Sequence, residues 1–523
     1  MQRLIRKIAE RITADYTRLS IVSDPDGLLT NPVVQSHLLS ECGLNVIVGT
    51  QLQLRIHYEL TKQREQNQTC LDSAESCRKK TEGQLTYKAS QNNRFVYVCP
   101  HTETLLPDME QEAYITEFSI GQLFPLFADK NLLRQLSFEE LVALCHKMGT
   151  RRINMAEGKR MVEEIRREEN EKRRHSAEHY RLMLQSLKLD WSFMGETVKT
   201  ISDIIADAAL AGVYDELSDE WIRVNDSFQN WLDNNYFALQ NSNPLLRPAC
   251  VNNVLPHLAD KYGNSDKVAL VVVDGLAFWQ WRILARCLQQ NRFTIKEDFT
   301  TAWLPTITML SRQAIFRGGR PQTSYNQSPD TERRLWKDYW QEVGMSSYEL
   351  QYLYDNEEFA INEGVNRLAY VTVEMDHKMH ASRDMRDLAV LTDVWAPRFC
   401  KQLKVLKDMG FAVYLTSDHG STAAIGQRPL TQVEKVFLYK DGSRGKRHLI
   451  YNKDHADEHR KLYESVSETM KMLSRDNWLA VRDFGAFERS GISLITHGGS
   501  SFTEVVVPFV QLTEQRESSS SLE

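Results

Sequence analysis

Three short, continuous apolar runs in the second half of the chain each end in an acidic residue. They are KVALVVVDG at 267–275, RLAYVTVEMD at 367–376 and FAVYLTSDHG at 411–420. Unbroken apolar runs of this length are typical of parallel strands that are buried on both faces, and helical patterns separate them here. The sequence therefore predicts an α/β domain over roughly 256–512, built on a mostly parallel sheet flanked by helices.

Residues with reactive or metal-binding side chains follow these runs and two further segments. In open α/β sheets, ligands bind outside the carboxyl ends of the strands, so side chains placed there are candidates for a functional site. The further segments are WLPTITMLSRQAIFRGG and ITHGGSSFTEVVVPFV. The candidates, in chain order, are Asp274, Thr306, Thr308, Asp376, His380, Asp418, His419 and His497.

Each candidate has an ordinary structural explanation when it is taken alone. An acid or a hydroxyl can cap a helix, and an acid four residues before a histidine can pair with it on a helix surface. Together, three acids, three histidines and a hydroxyl are the side chains that a two-metal phosphoryl-transfer site needs. A mixture of carboxylate oxygens and imidazole nitrogens suits Zn²⁺ or Mn²⁺ better than Mg²⁺ or Ca²⁺. A hydroxyl is a weak nucleophile at neutral pH, and coordination to such a metal favours its alkoxide.

The order of these motifs resembles that of the alkaline phosphatase superfamily. Asp-Gly comes first, followed by Pro-Thr-x-Thr, Asp-x-x-x-His, Ser-Asp-His-Gly and His-Gly-Gly. More narrowly, the segments VVVDGL, LPTITMLSRQAIFRGGRP, MDHKMH, TSDHGS and THGGSSFTEVVVPF are similar to those of the PglZ domain of BREX-type phage-defence systems. The resemblance covers about half of the chain and implies an alkaline-phosphatase-like core.

The resemblance also implies a role for each candidate. Thr308 matches the nucleophile, and Ser311 falls where a related branch has a phosphate-binding residue. Two divalent metal ions are implied, with Zn²⁺ preferred over Mn²⁺. One would be held by Asp274, Asp418, His419 and the oxygen of Thr308, and the other by Asp376, His380 and His497. Sulfate esters are disfavoured, since the chain has no Cys-x-Pro-x-Arg motif.

The first half of the chain has a different pattern. Short β-type runs at 18–29, 43–49 and 94–100 alternate with helical patterns, which predicts a small α/β domain over 1–130. A polar segment between 62 and 93 reads as a surface loop. Residues 131–255 are predicted to form a helical linker domain that includes a highly charged helix, and 513–523 a flexible tail.

Composition narrows the functional class further. The 523 residues include eight scattered cysteines without a Cys-x-x-Cys pair, which suits reduced thiols in a cytoplasmic protein. No apolar stretch approaches the roughly 20 residues of a membrane span, and the N-terminus lacks the apolar block of a signal peptide. Dinucleotide-binding, Walker A and His-Glu-x-x-His motifs are also missing.

We therefore expect a metal-dependent phosphoester hydrolase, most specifically a phosphodiesterase that acts on nucleotides or nucleic acid within a bacterial defence complex. Two alternatives stay open at this point: a phosphomonoesterase, and a metal-stabilised, non-catalytic subunit that binds protein partners. The basic run Arg444, Lys446, Arg447 and His448 could grip a phosphate or merely form a turn.

Overall fold

The computed structural model describes residues 1–14, 17–49, 94–99, 104–191, 194–244, 246–322, 325–355, 359–436, 438, 442–451, 456–475 and 477–514. The chain divides into two compact units, Met1–Lys172 and Arg173–Glu523. The predicted polar loop at 62–93 and most of the predicted tail at 513–523 lie outside the described residues. The predicted domain limits at 130 and 255 stay predictions.

The first unit contains a four-stranded parallel sheet with the order β2-β3-β1-β4. Its apolar side chains, among them Ile21, Phe95 and Tyr97, form one core. The strands are β1 (Leu19–Ser23), β2 (Leu44–Val48), β3 (Arg94–Val98) and β4 (Tyr114–Glu117). The helices are α1 (Gln2–Ile12), α2 (Pro32–Cys42), α3 (Pro107–Glu112), α4 (Ile120–Leu123), α5 (Lys130–Arg134) and α6 (Phe138–Met148). The predicted charged helix is α7 (Met155–Ser186), and the boundary between the two units falls within it, after Lys172.

The second unit is built on a six-stranded sheet with the order β6-β16-β9-β5-β8-β7. Strands β9, β5, β8 and β7 are parallel, and β16 runs antiparallel to both of its neighbours. The strands are β5 (Val268–Val273), β6 (Phe293–Thr301), β7 (Leu350–Tyr354), β8 (Arg367–Thr372), β9 (Ala412–Thr416) and β16 (Val506–Glu514). The predicted mostly parallel sheet is confirmed.

Both faces of this sheet are covered, as the unbroken apolar runs predict. Alternate residues of β5 enter two different cores, Val271 on one face and Leu270 on the other, and both side chains are fully buried. The helices of this unit are α8 (Met194–Leu210), α9 (Ser218–Gln240), α10 (Val254–Lys261), α11 (Phe278–Gln290), α12 (Thr308–Arg317), α13 (Pro329–Glu342), α14 (Glu374–Ala381), α15 (Met385–Asp408), α16 (Gln432–Val436), α17 (Ala456–Ser467) and α18 (Phe502–Val505).

Two small sheets complete the second unit. One has the order β14-β10-β15 and the other β11-β13-β12. Their strands are β10 (Thr422–Gly426), β11 (His448–Ile450), β12 (Met472–Arg475), β13 (Trp478–Val481), β14 (Gly485–Ala486) and β15 (Ser493–Thr496). Strand β10 follows β9 after a short turn and pairs antiparallel with β15, so the first small sheet continues from the end of β9.

Two further expectations concern the whole chain. Among the described residues, no helix has both the length and the apolar character that crossing a membrane requires. Six of the eight cysteines are described and all six are free thiols, including Cys287 and Cys400, whose sulfur atoms lie 3.3 Å apart.

The two-faced burial of β5 can be tested by shortening one side chain. We expect Leu270→Ala to lower the free energy of unfolding by about 2–5 kcal/mol, because it leaves a cavity in a closely packed core. Urea denaturation followed by circular dichroism measures the change. Leu246→Ala is the matched control, since Leu246 is 86% exposed, and it should change stability by less than about 0.5 kcal/mol. Equal midpoints for the two variants would contradict the burial of β5.

Candidate active site

The pairing of two parallel strands brings the first group of candidate ligands together. Val272 of β5 lies opposite Thr416 of β9, and an acid lies two residues beyond each of them, Asp274 and Asp418. One ligand atom from each of Asp274, Asp418 and His419 lies within 4.8 Å of the others. All three side chains are buried. The structure thus joins the first three predicted metal ligands at one edge of the sheet.

The second group comes from a helix and from the small sheet. Asp376 and His380 lie one turn apart on α14, with Asp376 Oδ1 3.3 Å from His380 Nε2. His497 follows β15, and together the three residues offer ligand atoms within 4.8 Å of one another. Asp376 therefore lies in the first turn of a helix after β8, four residues beyond the strand end, where the i,i+4 spacing aligns it with His380.

Pairing between β10 and β15 places the two groups side by side. Thr422 lies opposite Thr496, so that His419, three residues before Thr422, approaches His497, which directly follows Thr496. The two imidazole rings are stacked, with centroids 4.2 Å apart and an interplanar angle of 10°. The antiparallel pairing of β10 with β15 thus brings the two clusters together into one site.

Hydrogen bonds fix which ring nitrogen of these histidines faces the site. His419 Nδ1 is 3.0 Å from the carbonyl oxygen of Gly420, and His497 Nδ1 is 3.0 Å from that of Thr306. A carbonyl oxygen can only accept, so each Nδ1 carries the proton and donates. Each Nε2 is then left with a free lone pair, which is the usual arrangement of a metal-binding histidine.

Two buried polar atoms indicate that the site is incomplete without a cation. Asp418 Oδ1 accepts from the backbone N–H groups of Gly275 and His419, at 3.2 and 3.0 Å, but Asp418 Oδ2 is buried without a hydrogen-bond partner. His380 Nε2 is also buried without one, because its approach to Asp376 lacks hydrogen-bond geometry. Each group contains one such atom. The donor set of carboxylates and imidazoles therefore fits two Zn²⁺ or Mn²⁺ ions.

Two glycines, Gly275 after Asp274 and Gly420 after His419, allow neighbouring backbone segments to approach closely at the site. Gly275 has a φ of +77°, and a Cβ atom there would lie 3.3 Å from the Cα of Asp376. At Gly420, a Cβ atom would lie 2.0 Å from the carbonyl oxygen of Thr503. A larger residue at Gly275 would press on the segment that carries Asp376, and one at Gly420 would clash with the backbone of Thr503, which gives a physical reason for the Asp-Gly and Asp-His-Gly motifs.

Of the two candidate hydroxyls, only that of Thr308 faces the ligand groups. Thr308 is the first residue of α12, and its Oγ1 lies 3.1 Å from His419 Nε2 and 3.5 Å from Asp274 Oδ1. Thr306 is fully buried, donates its hydroxyl hydrogen to the carbonyl of Gly499 at 2.8 Å and accepts from the N–H of Gly498 at 3.1 Å. Thr306 therefore supports the loop that carries His497.

Ser311 lies one turn further along α12 and does not line the cavity described below. Its hydroxyl is fully buried, accepts from the backbone N–H of Trp303 at 3.0 Å and donates to the carbonyl of the same residue at 3.2 Å. These bonds hold the start of the helix against the preceding loop. The substrate contact that the resemblance implies for Ser311 stays a prediction.

Sequence reasoning missed a buried arginine that contacts the first group. Arg312 Nη1 donates to Asp274 Oδ2 at 3.1 Å, and its Nε lies 3.9 Å from Asp418 Oδ2 and 2.9 Å from Glu332 Oε1. Glu332, on α13, is fully buried and accepts from the hydroxyl of Tyr352 at 2.6 Å. No local pattern marks these residues, because they act through contacts between segments that are separate in sequence.

Burial and charge set the protonation of the site. Burial and the neighbouring Asp418 carboxylate raise the pKa of Asp274 well above its usual range, although the Arg312 guanidinium opposes this shift. At Asp376, burial also raises the pKa, but the His380 side chain, which lies 3.3 Å away, outweighs burial, and the pKa falls. Burial and the adjacent His419 lower the pKa of His497 well below its usual range, so its ring is neutral.

A cavity of about 300 Å³ opens beside the second group and Thr308. Its wall includes Thr308, Asp376, His380, His497 and Arg444. The guanidinium of Arg444 donates to Asp376 Oδ2. The nucleophile candidate and all three residues of the second group are therefore accessible from one cavity that is large enough for a phosphoester.

Comparison with known families identifies the domain that carries this site. Residues 252–512 match the family described as the BREX system PglZ alkaline phosphatase-like domain. The chain is a PglZ-domain protein. The match begins just before α10 and ends within β16, so it includes the central sheet and both ligand groups of this PglZ protein.

Solved structures show low similarity to this PglZ protein. Phosphonoacetate hydrolase from Sinorhizobium meliloti 1021 aligns over 47% of this chain and 90% of its own, with 11% identity and a TM-score of 0.33. Murine ectonucleotide pyrophosphatase/phosphodiesterase 5 aligns over 47% of this chain and 88% of its own, with 11% identity and a TM-score of 0.31. No curated protein matches the chain significantly.

The raised pKa of Asp274 predicts that metal binding releases a proton. A divalent cation needs the ionised carboxylate, so binding displaces the proton that burial retains, and affinity falls as pH falls toward and below the raised pKa. Affinity should change about tenfold per pH unit for each proton released. Calorimetric titration of EDTA-treated protein with Mn²⁺, in buffers of different ionisation enthalpy, counts the protons.

Two variants make this measurement specific. Asp274→Asn removes the titrating group and should release one proton fewer, with weaker binding of one of the two ions. Asp408→Asn alters an exposed acid at the end of α15 and should bind Mn²⁺ like the unmodified protein. A proton count that is unchanged in Asp274→Asn would contradict the assignment of the raised pKa.

Proposed function

We propose that this PglZ protein is a metal-dependent phosphoester hydrolase with Thr308 as its nucleophile. The observation that supports it best is the Thr308 hydroxyl, which lies 3.1 Å from His419 Nε2 at the wall of a cavity that the second ligand group also lines. The ligands of the first ion would be Asp274, Asp418 and His419, and those of the second Asp376, His380 and His497.

Divalent cations in these groups would supply Lewis acidity that favours the alkoxide of Thr308 and neutralises charge on the phosphoryl oxygens. The Thr308 oxygen attacks phosphorus in line, and the bond from phosphorus to the leaving oxygen breaks. Water then cleaves the threonine phosphoester and restores the hydroxyl. Thr308 begins α12, whose ten residues direct the positive end of the helix dipole toward the negative charge that accumulates there.

Charge balance favours a phosphodiester over a phosphomonoester. Three aspartates and the Thr308 alkoxide would carry four negative charges, equal to the four positive charges of two divalent cations. Of the described residues that line the cavity, Arg444 alone has a permanent positive charge. One guanidinium matches the single charge of a diester, whereas the dianion of a monoester would leave one charge without a partner.

The natural substrate and setting are proposed from the family. Phosphodiesters are most common in nucleotides and nucleic acids, so we propose a substrate of this class. The family description names the BREX system, which supports a role in phage defence. We propose that the protein acts in the cytoplasm, together with other proteins of that system.

The test is hydrolysis of bis-p-nitrophenyl phosphate by EDTA-treated protein that has been resupplied with Zn²⁺ or Mn²⁺. We expect metal-dependent turnover, and we expect Thr308→Ala to reduce kcat by at least about 10³-fold while both ions still bind, because it removes only the nucleophile. Asp418→Asn should lose turnover together with one ion. With p-nitrophenyl phosphate, kcat/KM should be lower than with the diester.

Matched variants separate the chemistry from the fold. Thr308→Ser keeps a hydroxyl and should retain part of the activity, and Asp408→Asn should retain all of it. Full activity in Thr308→Ala would exclude Thr308 as the nucleophile. If protein with two bound ions hydrolyses neither ester, a non-catalytic subunit that uses the metals for stability becomes the better explanation.

A further inference from the structure

The basic run at 444–448 contains two arginines with opposite environments. Arg447 is fully buried, pairs with the fully buried Glu504 at 3.0 Å and donates to the carbonyl oxygens of Gly485 and Asp483. It is a structural residue that joins the small sheets to α18. The side chain of Arg444, by contrast, is 54% exposed and lies in the wall of the cavity.

Arg444 is paired with an oxygen that the second ion would need. Its Nη2 donates to Asp376 Oδ2, while Asp376 Oδ1 lies 3.3 Å from His380 Nε2. A cation bound by Asp376, His380 and His497 would compete with the guanidinium for this carboxylate and would repel it. Since Arg444 is half exposed, its side chain can reorient at low cost.

We propose that Arg444 binds the substrate. Its guanidinium leaves the carboxylate of Asp376 and pairs instead with a non-bridging oxygen of the substrate phosphodiester. This inference rests on the proposed function. A guanidinium offers two parallel N–H donors that match two oxygens of a phosphate, and Arg444 lines the same cavity as Thr308. The pairing with Asp376 then holds Arg444 beside the position of the phosphate until the second ion is bound.

The first test measures ion and anion binding without turnover. Calorimetry of Arg444→Ala should give Mn²⁺ binding that is about three-fold tighter, because the competing guanidinium is gone. In the Mn²⁺-loaded Thr308→Ala background, adding Arg444→Ala should weaken the binding of inorganic phosphate at least about tenfold. With Arg444→Lys in the same background, the affinity for phosphate should lie between the values with Arg444 and with Arg444→Ala, because an ammonium keeps the charge but loses the paired donors.

The second test uses the kinetics with bis-p-nitrophenyl phosphate. Arg444→Ala should raise KM at least about tenfold with a smaller change in kcat. Arg398→Ala is the matched control, since Arg398 is 48% exposed and pairs with Glu374 on the same helix as Asp376, but it does not line the cavity. It should change neither phosphate binding nor KM.

The outcomes separate this inference from the proposed function. If the unmodified protein hydrolyses the diester but Arg444→Ala leaves KM and phosphate affinity unchanged, Arg444 does not bind substrate. Weaker Mn²⁺ binding in Arg444→Ala would instead assign the residue to the support of Asp376 and overturn the exchange. If no ester is hydrolysed, the proposed function fails, and phosphate binding still decides the role of Arg444.

Discussion

The site depends on two carboxylates that the sheet buries side by side. Asp274 and Asp418 are 4% and 0% exposed at the ends of paired parallel strands, and isolated charges in such a position would each cost several kcal/mol. Backbone N–H groups of Gly275 and His419 and the guanidinium of Arg312 offset part of that cost. Asp418 Oδ2 remains without a hydrogen-bond donor, and a cation bound by this group would satisfy it.

The balance of charge extends beyond the residues that face the cavity. Arg312 is itself buried, and Glu332 and the hydroxyl of Tyr352 behind it keep its charge paired. Toward the cavity, the stacked rings of His419 and His497 connect the first group to the second, where Asp376 lies 3.3 Å from His380 and accepts from Arg444. The buried pair Arg312 and Glu332 thus lies behind the candidate ligands, and the half-exposed Arg444 lies on their cavity side.

Sequence patterns predicted the strands of the central sheet and their burial well, because these depend on local periodicity. The unbroken apolar run of β5 predicted burial on both faces, and the four-residue spacing of Asp376 and His380 predicted neighbours on one helix face. Arg312 and Glu332 could not be predicted in the same way, and for Arg444 the sequence left open whether it grips a phosphate or merely forms a turn. Arg444 and Asp376 are 68 residues apart, and nothing in either segment indicates the other.

By itself, the sequence determined a mostly parallel α/β core and the order in which the acid, histidine and hydroxyl motifs follow one another along it. Alternation, apolar run length and helical spacing are properties of neighbouring residues. The tertiary structure decided that Thr308 rather than Thr306 faces the ligands, that Ser311 is held by Trp303, and that two groups form one site. Those outcomes depend on the antiparallel pairing of β10 with β15 and on the pairing of buried charges. Only the folded chain brings these distant segments together.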